Sequence, residues 1–223
     1  MVMNKLNGLI YKSQAYQENS RLLQVFTNKG KITLNAKGSQ KLSSKDRIIA
    51  QYLNEISFEY NNFKTFLTLQ NAKLVNDFNF IKKDFDLTKT ASLALEVIDK
   101  VIIDDIYNEK IYELLINTLN SKNLELAVLS FSLKILYYLG YGMKLKVEGK
   151  NTLGVSILKG GLVYEGETFN LDLNVLESIT LLKLTHMKVN DEVEINLTHI
   201  NSIKRFIYYY YENKMDIKLN ALR

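Results

Sequence analysis

Residues 16–38 read YQENSRLLQVFTNKGKITLNAKG. In the second half Ile32, Leu34 and Ala36 alternate with Lys31, Thr33, Asn35 and Lys37. A repeat of two marks a half-buried strand. Leu22, Val25 and Phe26 make 20–27 a partner strand, joined to the first through Lys29-Gly30-Lys31. Working outward, residues 6–13 read as an earlier strand, and 38–50 as a polar, basic loop. Alternation returns over 51–60 through Tyr52, Ile56, Phe58 and Tyr60. Asn61-Asn62 is a turn signal, and 63–75 is a last strand, best over 66–69. Five short strands in this space predict an OB-type Greek-key barrel over residues 1–80, with nucleic-acid binding as its expected role.

Beyond residue 80 the period becomes helical. Thr88 is the expected N-cap of a helix through Ala91, Leu95, Ile98 and Ile102. A second helix is expected through Ile111–Leu119, a third over 124–139 ending at Gly140, and a last one over 200–215. Glycine punctuates 140–170, predicting short strands and turns. The expected fold class is therefore α+β and multi-domain. An N-terminal OB-fold barrel precedes a mainly helical domain over 81–223, with a small Gly-rich insertion at about 143–170.

Charge is unevenly placed. Residues 1–50 hold nine Lys or Arg (Lys5, Lys12, Arg21, Lys29, Lys31, Lys37, Lys41, Lys45 and Arg47) against Glu18 and Asp46. The remaining residues are slightly acidic, so the net charge of +5 arises from the first quarter of the chain. Such a local positive field points to a polyanionic partner. Lysine and arginine neutralise phosphates, and exposed rings stack on bases. Lys12, Arg21, Lys29, Lys31, Lys37, Lys41, Lys45 and Arg47 are the expected phosphate-contacting set of a nucleic-acid-binding surface. Tyr11, Tyr16, Phe26, Tyr52 and Phe63 are the rings weighed for stacking, against a place in the barrel core.

The chain has no cysteine, which excludes disulfides, thiolate metal ligands and a cysteine nucleophile. No apolar run reaches the roughly 18 residues of a membrane span, and the N-terminus lacks a signal-peptide core. A cytoplasmic, nucleoid-associated location is expected. Gly142…Gly149-Lys150-Asn151 fails as a phosphate loop on both spacing and its last residue. His186 and His199 form no metal or triad pattern, and Asp104-Asp105 with Glu109 has no third ligand at a telling distance. Tyr208-Tyr209-Tyr210-Tyr211 faces all sides of a helix, so at most two of these rings share a face. No catalytic residue, metal site or cofactor is expected, and the chain is read as a non-enzyme.

Several segments, in consistent order, resemble the RecO family of bacterial recombination mediators. They are Ser20-Arg21-Leu22-Leu23 with Glu18 before it, Phe26-Thr27, Gly30 and Ala36-Lys37-Gly38. Further on come Phe131-Ser132-Leu133-Lys134-Ile135-Leu136, Leu139-Gly140-Tyr141-Gly142, Gly160-Gly161-Leu162 and Lys218-Leu219-Asn220-Ala221. The resemblance implies a DNA-binding mediator that anneals complementary strands. It implies RecR, RecA and single-strand-binding protein as partners, with the recombinase loaded onto DNA coated by the last of these. Many relatives carry two cysteine pairs that bind zinc, and the corresponding places here fall near Glu148, Asn151, Tyr164 and Glu167. Without thiolates this region is expected to hold by packing. Met143 replaces the family's proline. An apolar pocket for the acidic tail of single-strand-binding protein would draw its rim from Lys134, Lys144, Lys204 and Arg205, chosen on charge and position. The residues themselves leave two alternatives: an RNA-binding OB barrel in RNA metabolism, or a non-enzymatic scaffold meeting an acidic protein.

Overall fold

Alternating side chains at the start of the chain build a six-stranded sheet. Its strands are β1 (Asn4–Tyr16), β2 (Ser20–Thr27), β3 (Gly30–Ala36), β4 (Glu55–Tyr60), β5 (Phe66–Thr68) and β6 (Lys73–Asn76), in spatial order β5-β3-β2-β1-β4-β6. The computed structural model describes residues 4–60, 66–103, 108–189, 191 and 193–223. Asn61-Asn62, Phe63 and the Asp104-Asp105 pair lie outside the described residues. β1, β2 and β3 form an antiparallel meander, β4 returns antiparallel to β1, and β5 runs parallel to β3. This is the partly open Greek-key connectivity of the OB type.

The last strand comes in two pieces. β5 pairs with β3, and Leu69 N then donates to Asn35 O at 3.0 Å. One residue on, Gln70 O accepts from Glu59 N at 3.1 Å, and β6 pairs with β4. One segment thus reaches both sheet edges in turn. No ladder joins β5 to β6 among the described residues, so the barrel is not closed. Leu23, Val25, Ile32, Leu34, Ile56 and Phe58 fill the concave side. Close strand approach is set at Gly8, where a Cβ would stand 2.4 Å from Val25 Cγ1.

Short helices α1 (Asp46–Ile49) and α2 (Asn79–Lys82) precede α3 (Phe85–Val101). α3 begins a turn earlier than Thr88. The Asp84 carboxylate caps it by accepting from Leu87 N at 3.0 Å, while Thr88 Oγ1 donates to Ile81 O. An acidic cap with extended backbone competes better for the free amides than a threonine already inside the first turn. α4 (Asn108–Leu119) and α5 (Leu124–Tyr138) follow. α5 is buried on nearly every side, and the chain leaves it through Gly140.

The glycine-rich stretch forms a second sheet, ordered β8-β7-β9 from β7 (Thr152–Ser156), β8 (Gly161–Tyr164) and β9 (Leu173–Asn174). The Gly160-Gly161 turn has a steric cause. Gly160 takes a left-handed φ of 76°, and a Cβ on Gly161 would fall 2.4 Å from Lys144 O. α6 (Val175–His186) opens with an Asn174–Glu177 capping box, and α7 (Ile200–Met215) is the last helix. The chain divides into two compact units: Met1–Thr88 with Ile98–Ile116, and Lys89–Val97 with Asn117–Arg223. No helix of the described residues is long and apolar enough to cross a membrane.

Candidate nucleic-acid interface

The sheet register sorts the eight predicted cations into three places. Arg21 pairs with Ala15 and Ala36 at the end of the sheet where β1 turns into β2. The loop after β3 folds back onto that same end. Gly38 turns the chain at φ +70°, Gln40 N donates to Asn19 O at 3.0 Å, and Gln40 Nε2 donates to Ser20 O at 2.6 Å. Successive turns follow, through Lys41 N to Gly38 O and Ser44 N to Lys41 O. Asn54 anchors the far side of the loop. Its Nδ2 donates to Ile48 O and Ile49 O, and its Oδ1 accepts from Lys82 Nζ. Burial lowers the Lys82 pKa, against the opposing pull of Asp77. Lys37, Lys41, Lys45 and Arg47 are thereby exposed beside the β1–β2 turn. Arg21 is half-buried, and its Nη1 donates to Ser13 Oγ at 3.3 Å.

Lys12 is exposed midway along the convex face, opposite Gln24. Lys29 and Lys31 lie at the other end of the strands. The Thr27–Gly30 and Arg21–Ala36 pairs are six residues apart along β2, or roughly 20 Å. Lys29 Nζ donates to Tyr60 Oη at 2.6 Å, and Lys31 Nζ donates to Asp99 O at 2.8 Å. Five of the cations therefore stand at one end of the sheet and one on its face, while Lys29, itself exposed, and Lys31 stand at the other end with their ammonium groups bonded to protein oxygens.

The predicted rings divide as well. Phe26 is fully buried against Tyr112 of α4, their centroids 6.3 Å apart, and Tyr11 is buried. Burial first, and the Asp99 charge second, push the Tyr11 hydroxyl pKa up. Tyr52 is half-buried and Tyr16 partly exposed. Sequence reasoning missed Phe66, a residue 52 % exposed on edge strand β5.

In the C-terminal unit Lys134 turns inward and donates through Nζ to Met187 O; burial lowers its pKa against the charge of Asp191. Lys204 pairs with Glu125 at 2.6 Å. Lys144 and Arg205 are exposed. Lys144 lines a cavity of about 780 Å³ whose apolar walls include Tyr137, Met143, Leu145 and Leu162. Lys146 and Lys159 stand beside it, with Glu148 and Glu167. Of the tyrosine run, Tyr210 and Tyr211 point inward, Tyr208 Oη accepts from Arg223, and Tyr209 is exposed. Residues 149–151 lead into strand β7, not a helix, so no phosphate loop forms. His199 Nδ1 lies 2.9 Å from Thr180 Oγ1. No cluster of three His, Cys, Asp or Glu that could hold a metal occurs among the described residues.

Fold and site together define an α+β protein with a basic, OB-like N-terminal module ahead of a helical part. The family descriptions "Recombination protein O N terminal" and "Recombination protein O C terminal" match residues 1–78 and 82–223. The chain is 30% identical to a DNA repair protein RecO of Clostridium perfringens, with 91% of each chain covered. It is 24% identical to that of Oceanobacillus iheyensis, over 95% of this chain and 88% of the relative, and 25% identical to that of Caldicellulosiruptor bescii, over 92% and 90%. The chain belongs to the RecO family, and its role falls within DNA repair and recombination.

The zinc that the resemblance implies for many relatives does not fit these residues. At the corresponding positions Lys159 pairs with Glu167, whose carboxylate also accepts from Tyr164 N. The Tyr164 ring has Lys159 Nζ 4.9 Å and Lys150 Nζ 5.5 Å from its centroid. Two ammonium groups occupy the region where a cation would bind, and no thiolate exists in the chain.

Proposed function

We propose that this protein is a non-enzymatic recombination mediator that binds DNA through the basic end of its OB-like module and anneals complementary single strands. One observation carries the reading: Lys37, Lys41, Lys45 and Arg47 are exposed on the one connection between β3 and β4, in its loop and in α1, and Gln40 pins that connection to the β1–β2 turn. Glu18 and Asp46 are the only acids of the first 50 residues, so strands meeting this end find net positive charge. Annealing requires no bond chemistry; shielding the two backbones lets base pairing proceed. RecR, RecA and single-strand-binding protein are the proposed partners, with recombinase loaded onto DNA coated by the last. The apolar cavity beside Lys144 and Lys146 has the chemistry to take the acidic, apolar-ended tail of single-strand-binding protein.

The test is annealing of two complementary labelled oligonucleotides without ATP, across a salt series, on naked strands and on strands coated with the single-strand-binding protein. The expected result is acceleration that weakens with salt. Reversing Lys37→Glu and Lys41→Glu together should reduce it at unchanged melting temperature and lower the log–log salt slope of binding by about 0.7 per lost single-strand phosphate contact. A folded protein that fails to accelerate annealing, or prefers structured RNA in competition, would refute the reading.

A further inference from the structure

The sheet register places four side chains from four strands in one row on the convex face. Lys12 of β1 pairs with Gln24 of β2, Gln24 with Thr33 of β3, and Thr33 with Phe66 of β5. Paired residues point to the same side of a sheet. The next row toward the basic end reads Gln14, Leu22, Asn35 and Thr68. Neither row contains an acid. In the opposite direction the face is closed, because the Phe26–Lys31 pair lies under Tyr112 of α4 and Asp99 of α3. The Lys12–Phe66 row is therefore the first one outside that cover, and between it and the connection that carries Lys37, Lys41, Lys45 and Arg47 the residues Gln14 and Thr68 are exposed, Leu22 is half-buried and Asn35 is buried.

Phe66 is 52 % exposed there. Phe26, Phe58, Tyr11 and Tyr60, the rings of β1, β2 and β4 other than Tyr16 at the turn, are buried. An apolar ring at one end of a polar row, with an ammonium group about 14 Å away across three strand spacings, matches a base at one end and a phosphate at the other. We propose that Phe66 is the platform on which a base of single-stranded DNA stacks, with Lys12 on its backbone, and that this row makes the module prefer single strands to duplex. The inference rests on the DNA-binding reading above and assigns its selectivity. Cations neutralise the phosphates of both forms of DNA. A ring gains only from a base whose face is not already stacked within a helix.

Equilibrium binding of the full chain to a labelled oligothymidine and to a blunt duplex of equal length tests this, with Phe66→Ala, Phe66→Leu and Phe66→Trp. Loss of the ring is expected to weaken single-strand binding by roughly 5- to 150-fold, the span of one base–ring stack, and to leave duplex binding unchanged. Leucine keeps the apolar bulk of the edge strand, so it decides the matter where alanine lowers folding. The chain has no tryptophan, so Phe66→Trp supplies a single reporter, whose fluorescence is expected to be quenched by the oligothymidine and not by the duplex. Unchanged single-strand affinity in the leucine variant, equal losses on both DNA forms, or an unquenched tryptophan in a bound complex would each overturn the inference alone. A wild-type protein that binds neither DNA overturns the DNA-binding reading and the inference with it.

Discussion

Glu55 carries a carboxylate into the interior of the N-terminal unit, where it is 7 % exposed and accepts from Tyr112 Oη at 2.8 Å. Burial, then the charge of Glu55 and this hydrogen bond, push the tyrosine pKa up. Removing the hydroxyl leaves a buried charge without that donor, and hydrogen bonds to charged groups are worth about 1.5–3 kcal/mol. Tyr112→Phe should therefore lower the unfolding free energy by that amount, seen as a lower urea midpoint at constant m-value, and Glu55→Gln in the same background should recover part of it. Single residues also mark where sequence reading stopped. Alternation identified Ile32, Leu34 and Ala36 as inward. It could not say which part of the outward row a helix covers. Phe26 and Phe66 both lie on the convex face, and α4 buries one and leaves the other in solvent. The register of β5 on β3, a parallel pairing distant in sequence, decides this, and no local signal encodes it.

At the scale of elements, the β7–β8 hairpin is closed by an ion pair. Lys159 precedes the Gly160-Gly161 turn and Glu167 follows β8, and the pair closes across Tyr164. The hydrogen bond from Lys159, then that from Tyr164 N, hold the Glu167 carboxyl below its ordinary value. Its contribution is present near neutrality and is lost as pH falls through that lowered value. Chelation should leave the melting temperature of the wild type unchanged, whereas Lys159→Ala should lower it and loosen this hairpin in hydrogen exchange. A fall in melting temperature with EDTA would show a bound metal instead. The glycines of the turn were readable, as were α5 and the meander, because each follows from local period and turn residues. The clasp was not, since it depends on how the strands on either side of the turn align. The start of α3 shows the same limit: Asp84 and Thr88 are both acceptable caps locally, and Thr88 Oγ1 is instead bonded to Ile81 O, outside the helix.

Across the whole molecule, the sign and rough position of the charge were plain in the sequence, while its division between two ends of one sheet needed the register. A second global property is the protonation of the tyrosines. Burial pushes Tyr52 and Tyr210 up to about 12, and pushes Tyr11, Tyr112, Tyr137 and Tyr211 up as well, all from an ordinary value of 10.0. Above pH 10 the unfolded chain releases these protons first, so it binds fewer than the native state, and stability falls as pH rises. The stabilisation is whole below pH 10 and disappears progressively as pH passes through the raised values. Lys82 and Lys134 act oppositely, because burial lowers their pKa from 10.5. Their release of protons in the native state adds stability as pH climbs toward 10.5 and nothing beyond it. Between pH 10.5 and 12 the tyrosines act alone. In fully buried Tyr211, whose hydroxyl donates to Ser132 O at 2.7 Å, burial keeps the proton in the native state while the unfolded chain loses it, so stability falls across that window. Thermal melts from pH 8 to 12 should thus show a rise toward pH 10, set by the two lysines, and a loss above about pH 10.5, set by the tyrosines. Tyr211→Phe should melt lower at neutral pH, having lost the bond to Ser132, yet lose less on going from pH 10 to 12. Parallel pH profiles for the two proteins would mean that Tyr211 ionises as easily in the folded chain as in the unfolded one.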